Sequence, residues 1–218
     1  MITFDQKSQL FYGQRCNGMN EKFFDLKKEK QDRMINAALK YFGENGYKRA
    51  STDDMVREAG ISKGLLFHYF GSKSGLYFFI CDYSVRYLML ELTRVVSIKE
   101  TDYFEVIKQI EYGKMQIMRT YPYLTGFLDK VVTEKEEEAV EVVKELKTKY
   151  EDYMETILIR IREKGYKQGI DSEKLHNIVD FTLRGIYDEF LKQGCENPDI
   201  FYGTLVEYVD MIKKMTEK

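Results

Sequence analysis

Apolar residues return at three- and four-residue steps along most of this chain, the period of helices packed on one face. Met34, Ile35, Ala38, Leu39 and Phe42 form one such stripe, and Gly46 is expected to end that helix. Met55, Val56 and Ala59 form a second, short stripe, with Gly60 directly after it. Leu66 and Phe70 lie one turn apart in a third. Leu76, Phe79, Ile80, Tyr83, Tyr87, Leu90 and Val95 predict a long helix, and Tyr103–Arg119 another that breaks before Pro122. A short helix is expected near Leu124–Lys130. Thr133 is then expected to cap a long one through Ala139, Val143, Leu146, Tyr150, Tyr153, Ile157 and Ile161, stopping at Gly165. Asp171 or Ser172 caps the next, with Leu175, Ile178, Val179, Thr182, Ile186 and Phe190. Asn197-Pro198 opens the last, with Phe201, Leu205, Tyr208, Val209, Ile212 and Met215. The fold class read from this pattern is all-α.

The most informative spacing lies in residues 51–73. Ser51 or Thr52 can cap a helix there, while Asp53 and Asp54 place negative charge at its positive end. Gly60 can end that helix in a left-handed conformation, and Ile61 is apolar inside the turn. Ser62 can cap the following helix, which carries Lys63, Gly64, Leu65, Phe67, His68 and Tyr69 around an inward Leu66 and Phe70. Two short helices about a three-residue turn form a helix-turn-helix, which places its second helix in the major groove of DNA.

Met34-Ile35-Asn36-Ala37-Ala38-Leu39-Lys40-Tyr41-Phe42-Gly43-Glu44-Asn45-Gly46-Tyr47, followed by Ala59-Gly60-Ile61-Ser62-Lys63-Gly64 and His68-Tyr69-Phe70, then Ser72-Lys73 and Leu76, closely resembles the DNA-binding head of the TetR family of bacterial transcriptional regulators. The resemblance covers roughly the first third of the chain. It implies a division into an N-terminal extension (1–20), a helix-turn-helix head (21–75) and a helical ligand-binding and dimerisation domain (76–218).

It also implies DNA contacts. Thr52 offers a hydroxyl to phosphate, and Ser62 first caps its helix. Lys63 reaches a base edge or a phosphate, and Gly64 lets the backbone approach closely. His68 and Tyr69 meet phosphates across the groove, and Lys73 pairs with one more. Leu65 stands where the family commonly has Thr, Ser or Asn, and Phe67 where it has Tyr. Either an apolar contact with a thymine methyl replaces a hydrogen bond there, or Leu65 turns toward the core. Lys22, Lys27, Lys28, Lys30 and Arg33 lead into the first helix, as phosphate contacts or as a solvated charged segment alternating with Glu21, Asp25, Glu29 and Asp32.

Composition then narrows the picture. The 218-residue chain has a net charge of −2, yet residues 1–75 hold 13 Lys and Arg against 9 Asp and Glu, while the rest holds 21 against 27. A DNA reader needs a locally basic face, not a basic whole. Cys16, Cys81 and Cys195 have no C-x-x-C spacing, which fits a reducing cytoplasm and no zinc site. No apolar run is long enough to span a bilayer, so no membrane association is expected. Residues 1–18 follow no period and read as an over-long gene start, a disordered arm or a minor-groove arm; only Lys7 and Arg15 are basic there. No P-loop, nucleophile elbow, H-E-x-x-H or dinucleotide motif appears, and His68 has no partner at catalytic or metal spacing from His176. No enzyme activity, catalytic residue, cofactor or metal is expected.

For the C-terminal part the resemblance implies a small-molecule pocket and a homodimer through the last two helices. Candidate lining residues on the long linker helix are Tyr83 and Tyr87. The next helix offers Phe104, Met115 and Met118, and the following ones Phe127, Tyr150, Tyr153, Met154 and Phe181. Aromatics and Met at helical spacing are equally the makings of a plain core. Glu111 falls inside an apolar arc, where a carboxylate calls for a structural partner, an exposed edge or a cationic ligand. The function expected is a DNA-binding regulator, a repressor in most of the family, released from a palindromic operator by an apolar or amphipathic molecule. The alternative keeps the DNA head and replaces the small molecule with a protein partner.

Overall fold

A computed structural model describes residues 21–161, 166–194 and 197–217. The N-terminal extension with Lys7, Arg15 and Cys16, as well as Gly165 and Cys195, lies outside the described residues. Among the described residues ten helices follow one another: α1 Glu21–Phe24, α2 Lys28–Arg49, α3 Thr52–Ala59, α4 Lys63–Phe70, α5 Lys73–Val95, α6 Tyr103–Met118, α7 Leu124–Thr133, α8 Glu137–Leu158, α9 Ser172–Lys192 and α10 Pro198–Thr216. The fold is all-α, as the periodicity requires; among the described residues an isolated bridge of strand type joins Tyr166 and Glu217.

Two compact units result. The first runs to Val85 and takes in Tyr123–Lys147, and the second holds Arg86–Pro122 and the chain from Thr148 onward. The first unit is larger than the 21–75 head expected from the sequence, because α7 packs along α2. Gly43 faces the Phe127 backbone, where even a Cβ would make only ordinary contact, 3.5 Å from the Phe127 Cα. Phe127 reaches the Phe42 and Tyr77 rings, with centroids 6.4 and 5.7 Å away. The expected stripe of Met34, Ile35, Ala38, Leu39 and Phe42 is buried. α1 had no signature beyond a charged lead-in. Phe23 is nevertheless buried against Tyr69, Phe70 and Phe79, and buried Gln31 donates to the carbonyls of Phe24 and Leu26.

The second unit is built around Phe104 and Met118 of α6, Leu175, Val179 and Phe190 of α9, and Phe201, Leu205, Val209 and Ile212 of α10. Asp171 caps α9 and Asn197 caps α10, with Pro198 in its first turn. Gly113 sits in a close crossing: a Cβ would come within 2.8 Å of Leu92 Cδ2. Lys213 joins Asp102 and Glu105, and Lys108 joins Glu105 and Asp210, so α6 and α10 share an ion network beside the core.

Two expectations about α8 need correction. Thr133 does not cap it. Thr133 is the last residue of α7, and its hydroxyl donates back to the carbonyls of Asp129 and Lys130. α8 starts at Glu137 and ends at Leu158, short of Ile161. There the Ile161 N–H reaches back only three residues, to Leu158, and the side chain packs on the α9–α10 core.

Candidate nucleic-acid interface

The head is assembled by local chemistry. Ser51 Oγ accepts the Asp54 N–H at 3.2 Å and starts α3. Gly60 ends it at φ 64°, ψ 43°, a left-handed conformation that costs a residue with a Cβ. The Ile61 N–H closes back on the Val56 carbonyl. Ser62 Oγ then accepts the Leu65 N–H at 3.2 Å and starts α4. Of the two N-cap candidates for α3, the structure selects Ser51, which leaves the hydroxyl of half-buried Thr52 outside the cap.

α4 divides cleanly. Leu66, Tyr69 and Phe70 are buried, while Ser62 before it and Lys63, Gly64 and His68 on it are exposed. Leu65 and Phe67 are half-buried, so each presents part of an apolar side chain beside the exposed set. A Cβ at Gly64 would meet nothing within 4 Å, leaving its backbone open to approach from outside.

Electrostatics refine the roles of the basic residues. Lys63 Nζ lies 2.9 Å from Asp53, which brings the start of α4 beside the residue after Thr52. Lys40 pairs with Glu58 at 3.2 Å, and that hydrogen bond raises its pKa against the opposing effect of burial. Arg57 pairs with Asp54 on the same helix. Lys73 is engaged inside the head: its Nζ donates to the Lys48 carbonyl at 3.1 Å and sits 5.0 Å from the centre of the Tyr47 ring. Burial lowers its pKa. Tyr69 packs its ring on Phe23 and His68, so only a small part of it stays accessible.

The residues expected around a ligand are divided between the two units. Tyr83 and Phe127 belong to the first unit, packed on Phe79 and on Phe42 and Tyr77. Phe104, Met115 and Met118 are buried in the second unit, and Tyr87 meets Tyr121 edge-on. Tyr150 and Met154 are half-buried; the Tyr153 hydroxyl bonds the Met89 carbonyl and Thr93. Phe181 is 67% exposed, because the register that turns Leu175 and Val179 inward turns Phe181 out. Glu111 is 5% exposed and has a structural partner, Lys114, at 2.7 Å. Among the described residues no group of three or more His, Cys, Asp or Glu side chains could hold a metal ion, and no helix is long and apolar enough to cross a membrane.

Residues 34–78 match the family model for bacterial regulatory proteins of the tetR family. The head of this chain is thus similar to the N-terminal domain of that family. Among curated relatives, an HTH-type transcriptional regulator of Bacillus subtilis, YuxN, is 38% identical over 72 residues, covering 33% of this chain and 24% of that protein. The HTH-type transcriptional regulator HbdR of an Aromatoleum species is 40% identical over 53 residues, covering 24% of this chain and 23% of its own. The matches therefore span about a quarter of the length of these relatives. Solved structures share the fold over far more of the chain. A TetR-family regulator from Chloroflexus aurantiacus overlays with a TM-score of 0.62 at 17% identity, covering 91% of this chain and 98% of that one. FadR of Bacillus subtilis, in complex with stearoyl-CoA, overlays at 0.52 and 14%, covering 81% and 96%. All four of these proteins are described as transcriptional regulators.

Proposed function

We propose that this chain is a TetR-family transcriptional regulator that binds a palindromic DNA operator as a homodimer and leaves it when a small molecule binds the C-terminal part. The observation that carries the reading is α4 itself, anchored by Leu66, Tyr69 and Phe70 with Ser62, Lys63, Gly64 and His68 facing solvent. In the bound state Lys63 meets a base edge or phosphate. Thr52, His68 and the accessible part of Tyr69 meet phosphates, and Leu65 and Phe67 face thymine methyls. Lys73 contributes by bracing Lys48 and Tyr47, and reaches phosphate only by leaving them. Such a reader works in the compartment that holds the chromosome, the cytoplasm.

The dimer is supported by α9 and α10, which expose Ile178, Phe181, Ile200, Met211 and Met215 after their inner faces have been satisfied. Two copies joined there suit half-sites roughly 34–36 Å apart. Release follows if the effector prefers a conformer whose two α4 helices are wrongly spaced, which shifts the population away from DNA. Tyr87, Phe104, Met115, Met118, Tyr150, Tyr153 and Met154 lie in the unit that would receive an apolar or amphipathic effector.

The deciding experiment is selection of bound duplexes from a random library by the purified protein, repeated across a ligand panel that includes a long-chain acyl-CoA. Enrichment of an inverted repeat, reversed by one ligand class, is the expected result. Absence of any enriched sequence overturns the reading. Enrichment that no small molecule reverses favours regulation by a protein partner.

A further inference from the structure

The corner between α2 and α3 is held from a distant part of the chain. At Gly46 the backbone turns to φ 69°, ψ 172°, splitting a last turn, Tyr47–Arg49, from the body of α2. The Tyr47 N–H donates to Glu134 Oε2 at 2.9 Å, across 87 residues of sequence. The other oxygen, Glu134 Oε1, accepts the N–H groups of Lys135 at 2.8 Å and Glu136 at 3.0 Å. One carboxylate thus ties the α7–α8 loop to the Gly46 corner. A side chain at Gly46 would crowd it, because a Cβ there would lie 3.2 Å from Glu134 Oε2.

Neighbouring contacts grip the same corner. Lys48 pairs with Glu136 at 3.3 Å, and Lys73 binds the Lys48 carbonyl. The Tyr47 ring is buried beside Phe42 and Tyr77. Immediately beyond, Ala50 closes on the Gly46 carbonyl and Ser51 caps α3, so the direction taken at Gly46 sets where Thr52 begins its helix. Without Glu134 the buried Tyr47 N–H would lose its acceptor, a costly state that the backbone escapes by moving.

We propose that Glu134 is a positioning residue for DNA reading: it holds the Gly46–Tyr47 corner in the conformation that presents Thr52 and the start of α3 to phosphate, without touching the duplex itself. This rests on the DNA-reading proposal above. A head whose competent corner is only partly populated binds more weakly in proportion to the lost population.

The test uses the full chain and the duplex that the wild type selects. Hydrogen exchange is read at the Tyr47 and Ala50 amides, and affinity is measured over a range of salt. Glu134→Ala is expected to raise exchange and weaken binding by about tenfold, with the slope of log affinity against log salt unchanged because no phosphate contact is removed. Glu134→Gln keeps an acceptor oxygen and is expected to bind only about two- to threefold more weakly than wild type. Faster exchange with unchanged affinity overturns the inference, and so does a shallower salt slope. If Glu134→Ala loses its cooperative melting, Glu134→Gln decides: weaker binding at the wild-type slope supports the role, and wild-type affinity overturns it. Failure of the wild type to enrich any duplex refutes the DNA-reading proposal itself, and that result is visible before either variant is made.

Discussion

The ammonium of Lys63 lies 2.9 Å from the Asp53 carboxylate, so the first basic group of the reading helix is paired within its own head. Both groups are substantially exposed, and such a pair contributes about 0–1 kcal/mol. Its larger effect is on binding, because a phosphate must draw Lys63 away from Asp53 and a carboxylate near the duplex repels it. Asp53→Asn is therefore expected to tighten duplex binding up to about fivefold with little change in melting temperature. Lys63→Ala is expected to weaken it. A phosphate contact would reduce the salt slope by about one, and a base contact would relax specificity at one position. Titrations of both variants on selected and scrambled duplexes check this.

Gly60 and Gly64 are expected to respond in opposite ways to the same substitution. Neither has an atom within 4 Å of a built Cβ, so sterics from neighbours do not enter. Gly60 holds φ 64°, and Gly60→Ala should lower stability by about 1–2 kcal/mol. Gly64 sits inside α4, where Gly64→Ala should raise stability by about 0.5–1 kcal/mol yet weaken duplex binding by filling the space left for the DNA backbone. Urea melts and duplex titrations of both variants separate the two effects.

What the sequence made legible divides along the range of the interactions. Ser51, Gly60 and Ser62 act on the backbone within a few residues of themselves, so their types and spacing were enough to place the helix-turn-helix. Leu66 and Phe70 were legible for the same reason. Phe23 was not, because its burial depends on Tyr69, Phe70 and Phe79, far along the chain. Glu134 was hidden in an acidic run that also suits the start of any helix, and only the fold brings it to Tyr47. The outward turn of Phe181 was equally invisible, since α9 carries apolar residues on two faces and periodicity does not say which one a neighbour covers.

Acid should weaken the fold through two carboxylates. Burial pushes Glu105 and Glu134 upward, but hydrogen bonds outweigh it, from Lys108 and Lys213 to the first and from the Tyr47, Glu136 and Lys135 amides to the second. Both folded pKa values are thus held below the ordinary 4.5. The unfolded chain takes up these protons first as pH falls, so this stability is complete above 4.5 and is lost as pH drops through the folded values. Urea midpoints should decline below that pH, and more shallowly in Glu134→Gln combined with Glu105→Gln. An identical decline in the double variant would assign acid sensitivity to other groups.

The outer faces of α9 and α10 carry the final prediction. Phe181 is 67% exposed, Ile200 67% and Met215 65%, and none belongs to the buried core of its unit. A charge at Phe181 should therefore leave the monomer's packing intact while making self-association unfavourable, since a two-fold contact places each changed residue on the shared face. Phe181→Glu is expected to sediment as a monomer with near-wild-type helical content. Its affinity for an isolated half-site should match wild type, and its affinity for the full inverted repeat should fall to nearly the half-site value, because the gain from binding two linked sites is gone. A Phe181→Glu protein that remains dimeric would move the interface to another face of the chain, while loss of half-site binding would show that the substitution reached the head through folding instead.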